Sequence, residues 1–411
     1  MDYFGEPRDI KRNSILYFFD GLTFMPSMAL LSMVTVIPFF LETLEASTFE
    51  FAVATSVTTI GMLIGKPIFG SMATRAKYMT KAFSKVLFAQ RLIFLSFVLM
   101  MPLFASNPRL MIWVFIAFWG TYNFLQASGF VFNIPIILKL LPPHQRAGLR
   151  GVGQAVGNLI ALGMAGLIPF ILERFSFPYD FMVIFLLSLI LLFFNAAGFW
   201  LMKEHEDVEA RVPMSVLEYT RAIPLCLKED SSFRAMVISC MFLVVGISLI
   251  PFYTLYAIRT FGLSGEQIAL LTTLAILSAI AANIVFGFII DRFGAVRVSP
   301  SLAVFLIVSG VMALFTSGLF SFYVAWVLIN FGAVCYMKTS NLMAGDVSPS
   351  GKSPLYVGVL FIISMALSSV VVLVLAPVMD AAYFVILFVV VIVCGGLGLF
   401  YNVFVFQRRL G

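Results

Sequence analysis

Charged residues are scarce in this chain. Asp, Glu, Lys and Arg make up 11% of its 411 residues, whereas about a quarter is typical of soluble domains. Apolar residues make up 61%, and the mean hydropathy is +1.05. A water-soluble globule cannot bury so much apolar surface, so we expect lipid to be the solvent for much of the chain.

The residues that carry most enzyme chemistry are also few. The two histidines, His144 and His205, lie far apart, and the four cysteines show no CxxC spacing, which argues against a zinc site or a disulfide framework. No phosphate-binding GxxxxGK[ST] loop is present. The net charge of +6 is spread over short loops and forms no nucleic-acid-binding stripe. We therefore predict no enzyme activity, no cofactor, no metal and no nucleic-acid partner.

The apolar residues form long, continuous runs. A membrane-spanning helix needs about 20 such residues, whereas outer-membrane strands alternate in polarity over about 10. The runs predict twelve spans, at residues 15–41, 49–72, 82–105, 109–141, 147–173, 179–202, 233–258, 266–290, 296–318, 321–345, 354–378 and 381–406.

One long connector divides the spans into two groups of six. The predicted domains are an N-terminal bundle at 1–202, a connector at 203–232 and a C-terminal bundle at 233–411. Within the connector, residues 214–227 look amphipathic and predict a helix on the membrane surface.

Lysine and arginine are concentrated in alternate short loops, which places both termini and the connector in the cytoplasm. The first 14 residues are charged and predict no cleaved signal peptide. We expect an integral protein of a bacterial inner membrane. Two GxxxG pairs, Gly61/Gly65 and Gly153/Gly157, predict close contacts between helices.

A compact group of charges follows span 8, in the stretch "GFIIDRFGAVR". This pattern resembles the cytoplasmic loop signature of the major facilitator superfamily, with Gly287, Asp291, Arg292, Gly294 and Arg297 at its defined positions. We expect these residues to form a cytoplasmic gate, in which Asp291 meets a helix N-terminus or a base such as Arg150.

The corresponding loop after span 2 reads "GKPIFGSMATRAKYMTK". Gly70 and Arg75 match the signature and join the gate candidates, while Thr74 replaces the acid and Lys77 replaces the second glycine. The segments "NFLQASG" and "LLPPHQRAGLRGVGQAVGNLIALGMAG" resemble helix 4 and the loop into helix 5 of the same superfamily. However, Asn123 replaces an arginine, and the Gly-Pro pair associated with drug–proton antiport is missing.

The resemblance implies an all-α membrane protein with twelve helices in two pseudo-symmetric six-helix bundles. It also implies that spans 1, 4, 7 and 10 border a central cavity. The polar residues of those spans are the substrate-cavity candidates: Asn123, Gln126, Asn133, Tyr253, Tyr256, Asn330, Tyr336, Lys338 and Asn341.

Ionisable residues inside the spans are costly in hydrocarbon, so we expect each to have an oppositely charged partner or a functional role. Asp20 lies at a depth similar to that of Lys66 and close to that of Arg91, so we expect it to pair with one of them. Such a pair is either a fixed structural bridge or a proton-coupling site. Lys338 has three interpretations: it faces the cavity, extends to the membrane surface or pairs with Asp346.

These features predict a monomeric secondary active transporter that works by alternating access and is coupled to protons. Its substrate is a small organic solute, anionic or amphiphilic, and its other partner is the lipid bilayer. Two alternatives remain open. One is a multidrug or lipid exporter of the same fold, and the other is a membrane sensor that kept the fold without transporting.

Overall fold

A computed structural model describes residues 6–204, 224–349, 353–379 and 384–409. The regular structure within these ranges is helical throughout. In chain order, the helices are α1 (Pro7–Leu30), α2 (Val36–Thr43), α3 (Thr48–Arg75), α4 (Met79–Phe104), α5 (Pro108–Leu140), α6 (Pro143–Arg174), α7 (Tyr179–Leu201), α8 (Ser231–Ser248), α9 (Ile250–Phe261), α10 (Gly265–Phe293), α11 (Ala295–Val298), α12 (Pro300–Leu314), α13 (Leu319–Val347), α14 (Ser353–Met379) and α15 (Phe384–Tyr401).

Eleven segments of the described chain are helices long and apolar enough to cross a membrane, and they correspond to predicted spans 2–12. Their ends lie within a few residues of those predicted, because the apolar runs end at clear capping signals. Asn107 accepts a hydrogen bond from the Leu110 amide at the start of α5, and Ser264 opens α10 with a capping box.

Predicted span 1 differs from the others, because it is broken into α1 and α2. The hydroxyl of Ser32 accepts from the amides of Val34 and Thr35, at 3.3 and 3.2 Å, and so offers the backbone a local alternative to the helical ladder. α1 also starts earlier than predicted, since Pro7 suits a first helical position and the charged residues after it lie at the helix end.

The chain divides into two compact units. Unit 1 comprises Met1–Ala46 with Val57–Val216, and unit 2 comprises Ser47–Ser56 with Leu217–Gly411. The surface helix predicted at 214–227 falls largely outside the described residues, although residues 224–229 are helical.

Two ion pairs, one of them buried, hold unit 1 together at one end. Glu204, just beyond α7, accepts from Lys139 of α5 at 2.9 Å and from the amide and hydroxyl of Thr80 in α4, at 2.8 and 2.9 Å. Lys203 pairs with Asp9 of α1 at 3.1 Å. The end of α7 thereby ties together α1, α4 and α5, and Glu204 also offsets the positive end of the α4 dipole.

The two units share a local motif that reflects their pseudo-symmetry. The pattern W-x-x-x-N-F occurs in span 4 from Trp119 and in span 10 from Trp326. In both helices the asparagine, Asn123 or Asn330, donates to the carbonyl of the tryptophan at 2.8 Å. Each indole N–H is satisfied by a neighbouring helix of its own unit: Trp119 donates to Thr58 of α3, and Trp326 to the Leu271 carbonyl of α10.

Candidate functional site

A cavity of about 220 Å³ lies inside unit 1, between α1, α4, α5, α6 and α7. It is bounded on one side by a very close crossing of α1 and α6. A Cβ atom on Gly21 would lie 2.5 Å from the carbonyl carbon and oxygen of Gly153, and a Cβ on Gly157 would clash with the backbone of Gly21. Glycine is required at this crossing because the two backbones touch. The predicted Gly153/Gly157 pair therefore shapes one wall of the cavity.

One carboxyl group and two guanidinium groups line this cavity: those of Asp20, Arg91 and Arg150. Arg91 is fully buried, and both arginines lie near enough to Asp20 to interact with it electrostatically. The cavity therefore holds more positive than negative groups. The rest of its lining is a mixture of amides and aromatic rings, of which Gln126, Asn133 and Phe130 are examples.

Asn195 of α7 joins Asp20 to Arg91. Its amide nitrogen donates to Asp20 Oδ1 at 2.6 Å, and its amide oxygen accepts from Arg91 Nη2 at 3.3 Å. Among the described residues, neither charged group forms a direct ion pair within 4 Å. The predicted partnership of Asp20 with Arg91 therefore takes the form of a bridge through a neutral amide.

Arg91 is held in place by its other hydrogen bonds. It donates to the carbonyls of Leu87 and Leu192, at 3.2 and 3.3 Å, and to the side chain of Gln90. Gln90 in turn donates to Gln126 at 2.7 Å. A continuous chain of polar groups thus runs from Asp20 across α7 and α4 to α5, and its satisfied donors make it rigid.

Lys66, the other predicted partner of Asp20, is placed elsewhere. Its ammonium lies 4.3 Å from the centre of the Phe130 ring, in a cation–π arrangement, and it does not line the cavity. Asn195 was not among the sequence candidates, because a single neutral amide in the middle of an apolar run leaves no charge signal.

The other substrate-cavity candidates fall into two groups. Gln126 and Asn133 line the cavity with Asp20, and the Asn133 side chain also interacts with the Asp20 carboxyl. Asn123 and Asn330 satisfy the carbonyls of their own helices, as described above, and Asn341 does the same with Met337 at 2.9 Å.

In unit 2, the candidates are held by local contacts. Tyr253 is fully buried and lies 3.5 Å from the Ser309 hydroxyl. Tyr256 packs edge-on against Phe388, with ring centres 4.9 Å apart. The hydroxyl of Tyr336 donates to the Cys240 carbonyl at 3.4 Å.

Lys338 donates to a backbone carbonyl, that of Asn283 in α10, at 3.1 Å. Its ammonium therefore contacts neither Asp346 nor any other carboxylate among the described residues. This contact between α13 and α10 gives the ammonium a neutral acceptor and, within the described residues, no anionic partner.

The residues of the predicted gate lie in or next to the last turns of α3 and α10 and in the turn after α10, except Arg150, which lies in α6. Asp291, Arg292 and Arg297 are exposed, as is Arg75 at the end of α3. Gly294 has a φ of +81° at the turn between α10 and α11, a conformation that favours glycine. Gly70 and Gly287 have open space where a Cβ would lie, so neither is needed for close packing within its unit.

The helices and the buried polar cavity define an α-helical integral membrane protein. A family model described as Major Facilitator Superfamily matches residues 235–409. The chain is also similar in structure to a variant of the nucleoside transporter NupG, at 12% identity and a TM-score of 0.71, over 98% of this chain and 100% of that one.

Two further structures show the same likeness. A bacterial homologue of the iron transporter ferroportin has 14% identity and a TM-score of 0.70, over 96% of this chain and 98% of its own. The human organic anion transporter MFSD10 has 14% identity and a TM-score of 0.63, over 97% and 99%. No curated protein matches the chain in sequence. The resemblance to the major facilitator superfamily is therefore confirmed for residues 235–409, which the family model matches. The solved structures show that nearly the whole chain shares their fold.

Proposed function

We propose that this protein is a secondary active transporter of a small organic solute with an anionic group, and that transport is coupled to protons. The observation that carries the proposal is the cavity of unit 1, where one carboxyl group faces two guanidinium groups inside an apolar bundle. Ionisable groups are costly at such depth, and in membrane proteins they mark substrate and proton pathways.

The charges of the cavity suggest how proton and solute are coupled. With Asp20 ionised, its carboxylate offsets part of the positive charge of Arg91 and Arg150. A proton on Asp20 removes that negative charge. The Arg150 guanidinium can then hold an anionic group of the solute, and the buried charge of Arg91 adds to the attraction. Guanidinium is suited to this role, because it binds carboxylate and phosphate oxygens in a fork geometry. The cavity would then accept a proton and an anion together.

Movement of the solute would follow the alternating-access scheme of this fold. In that scheme the N-terminal bundle at 1–202 and the C-terminal bundle at 233–411 rock about a site near the membrane midplane. We further propose that the exposed charges of Asp291 and Arg292 act at the cytoplasmic face and stabilise one of the two states. The distribution of lysine and arginine supports cytoplasmic termini in a bacterial inner membrane, and we propose that the transporter acts as a monomer.

Lys338, in unit 2, is a further positive group available to a solute. Because its only hydrogen bond in the described part of unit 2 is to the Asn283 carbonyl, the ammonium retains its attraction for an anion. If the protein were instead a multidrug or lipid exporter without charge selection, Lys338→Met would leave transport intact. We expect this variant to raise the KM for organic anions.

The proposal is tested with purified full-length protein. Thermal unfolding with a panel of monocarboxylates, phosphate monoesters and uncharged amphiphiles identifies ligands, because binding to the native state raises apparent stability. Each ligand then enters an uptake assay in proteoliposomes, with and without a pH gradient. We expect anions to stabilise the protein and to accumulate when a pH gradient is imposed.

The coupling role of Asp20 is tested in the same vesicles. Asp20→Asn should abolish gradient-driven accumulation and preserve exchange of solute across the membrane, since exchange needs no net proton movement. Asp346→Asn, which alters an exposed acid near the end of α13, is the matched control. Accumulation by Asp20→Asn at the wild-type rate would show that the proton site lies elsewhere. Saturable binding with no flux under any gradient would identify the protein as a sensor.

A further inference from the structure

A second concave site lies in unit 2, between α10, α11, α12 and α13. It is a groove of about 630 Å³ lined by side chains of these helices. Three rings pack against one another along it: Phe286, Phe305 and Phe331, with centres 6.0, 5.6 and 5.0 Å apart. Phe305 packs closely against α13, because a Cβ atom added to Gly332 would lie 2.9 Å from the Cβ of Phe305. The rings therefore form a fixed apolar surface.

The groove is accessible from the apolar surroundings of the protein. Val285 and Phe293 line it with 42% and 50% of their surface exposed. These residues belong to a helix that is long and apolar enough to cross a membrane, so we expect Val285 and the apolar part of the groove to face hydrocarbon. A groove of this size lies within the usual range of ligand pockets, about 300–1,000 Å³, and an acyl chain is the apolar molecule that surrounds it.

One end of the groove carries a positive charge. Arg297 of α11 lines the groove, and its side chain is exposed. In the part of the chain that the structure describes, its guanidinium has no hydrogen bond to protein and no ion pair. The arginine lies just after the turn at Gly294, where the apolar helix α10 ends, and this places it at the level of lipid headgroups. A guanidinium at that level complements a phosphate group.

We propose that this groove binds one anionic phospholipid, with an acyl chain along the three phenylalanine rings and the headgroup phosphate at Arg297. Charge complementarity favours an anionic lipid over a zwitterionic one, because no carboxylate within the described residues pairs with Arg297 to offset its charge. The site is separate from the Asp20 cavity, which lies within unit 1, and it does not depend on the proposed transport activity.

The test compares lipids that share their acyl chains. Purified full-length protein in detergent is titrated with dioleoylphosphatidylglycerol, with dioleoylphosphatidylcholine and with glycerol 3-phosphate, and bound molecules are measured by native mass spectrometry. Phosphatidylcholine has the same phosphate, but its choline cation offsets the attraction of that phosphate for Arg297. Weakening a charge-assisted contact changes affinity by about tenfold. We therefore expect phosphatidylglycerol to bind about tenfold more tightly than phosphatidylcholine, and glycerol 3-phosphate to bind no more than a hundredth as tightly.

Three variants locate the site. Arg297→Gln should reduce the preference for phosphatidylglycerol to less than about threefold, while Arg297→Lys should keep part of it. Ser301→Trp, which fills the groove beside the rings, should weaken both lipids. Arg408→Gln is the control, since it removes an equal charge at a residue outside the groove that lies 5.5 Å from the Phe404 ring. The preference of Arg408→Gln for phosphatidylglycerol over phosphatidylcholine should equal that of the wild type.

Several results would overturn the proposal. Equal affinity of the wild type for the two lipids would remove the role of charge. Equal effects of Arg297→Gln and Arg408→Gln would show that the preference is a general surface effect. Binding of glycerol 3-phosphate as tight as that of the lipid would identify a site for free phosphate compounds. If Arg297→Gln did not fold, an unchanged affinity of Ser301→Trp for both lipids would be sufficient to refute the groove as the site.

Discussion

The crossing of α1 and α6 beside Asp20 allows a graded test of the packing that forms the cavity. A methyl group at Gly21 would lie 2.5 Å from the carbonyl of Gly153, whereas ordinary contacts begin at 3.4 Å. In Gly21→Ala the two backbones must therefore separate by about 0.9 Å, the difference between these distances. A methyl group at Gly153 would lie 3.2 Å from the Phe18 carbonyl oxygen, so Gly153→Ala requires a shift of only a few tenths of an ångström. Gly163, farther along α6, has open space around the added Cβ.

The expected stabilities follow from these distances. Overpacking costs about 1–3 kcal/mol, and replacing a helical glycine by alanine gains about 0.5–1 kcal/mol. We expect Gly163→Ala to be slightly more stable than the wild type, Gly153→Ala to be near it or slightly below, and Gly21→Ala to be about 1–2 kcal/mol less stable.

The assay is thermal unfolding of the purified variants in one detergent, followed by solute uptake in proteoliposomes. Because Gly21 adjoins Asp20 and lines the cavity, Gly21→Ala should also raise the KM for the solute, while Gly163→Ala should not change it. A melting temperature for Gly21→Ala at or above that of Gly163→Ala would refute the close crossing, and with it the shape of the cavity.

Three further predictions concern buried polar groups. Asn195→Leu removes the hydrogen bonds to Asp20 and from Arg91, and a hydrogen bond with a charged partner contributes about 1.5–3 kcal/mol. The melting temperature and the uptake rate should therefore both fall. An unchanged uptake rate would exclude the bridge from the transport site. Glu204→Gln breaks the ion pair with Lys139, whose two side chains are only 2% and 9% exposed, and should destabilise unit 1 by about 3 kcal/mol. The double variant Glu204→Gln/Lys139→Met should be less destabilised than this single variant. Melting temperatures of the wild type, both single variants and the double variant measure the difference, and additive effects of the two substitutions would contradict it. Trp326→Phe leaves the Leu271 carbonyl without its indole donor and should cost about 1 kcal/mol in chemical unfolding, whereas a variant as stable as the wild type would show that the bond makes no net contribution.

The first span shows how local side-chain chemistry changes a pattern based on hydropathy. Residues 15–41 form a continuous apolar run, and on that basis predict one helix. The hydroxyl of Ser32 nevertheless binds the following amides and divides the run into α1 and α2. Hydropathy contains no information about the competition between a serine hydroxyl and the helical hydrogen bonds of the backbone. The only signal for the break in the sequence was Ser32 itself.

The candidate site was predictable only in part. The cost of charge in hydrocarbon singled out Asp20 and Arg91 from the sequence, and the structure places both in one cavity. The same argument also selected Lys66, which lies against Phe130 instead. Depth along a helix can be estimated from residue count, but the direction in which each helix faces depends on packing with its neighbours.

The sequence by itself determined the class of the molecule. A chain with so few charges and such long apolar runs has to satisfy its backbone within lipid, and only helices of about 20 residues do so in continuous apolar segments. Tertiary structure decided which polar groups meet. Asp20 and Asn195 are 175 residues apart, and only the packing of α1 against α7 brings them together. Contacts over such a separation arise from the shapes of many side chains at once, and no single segment encodes them.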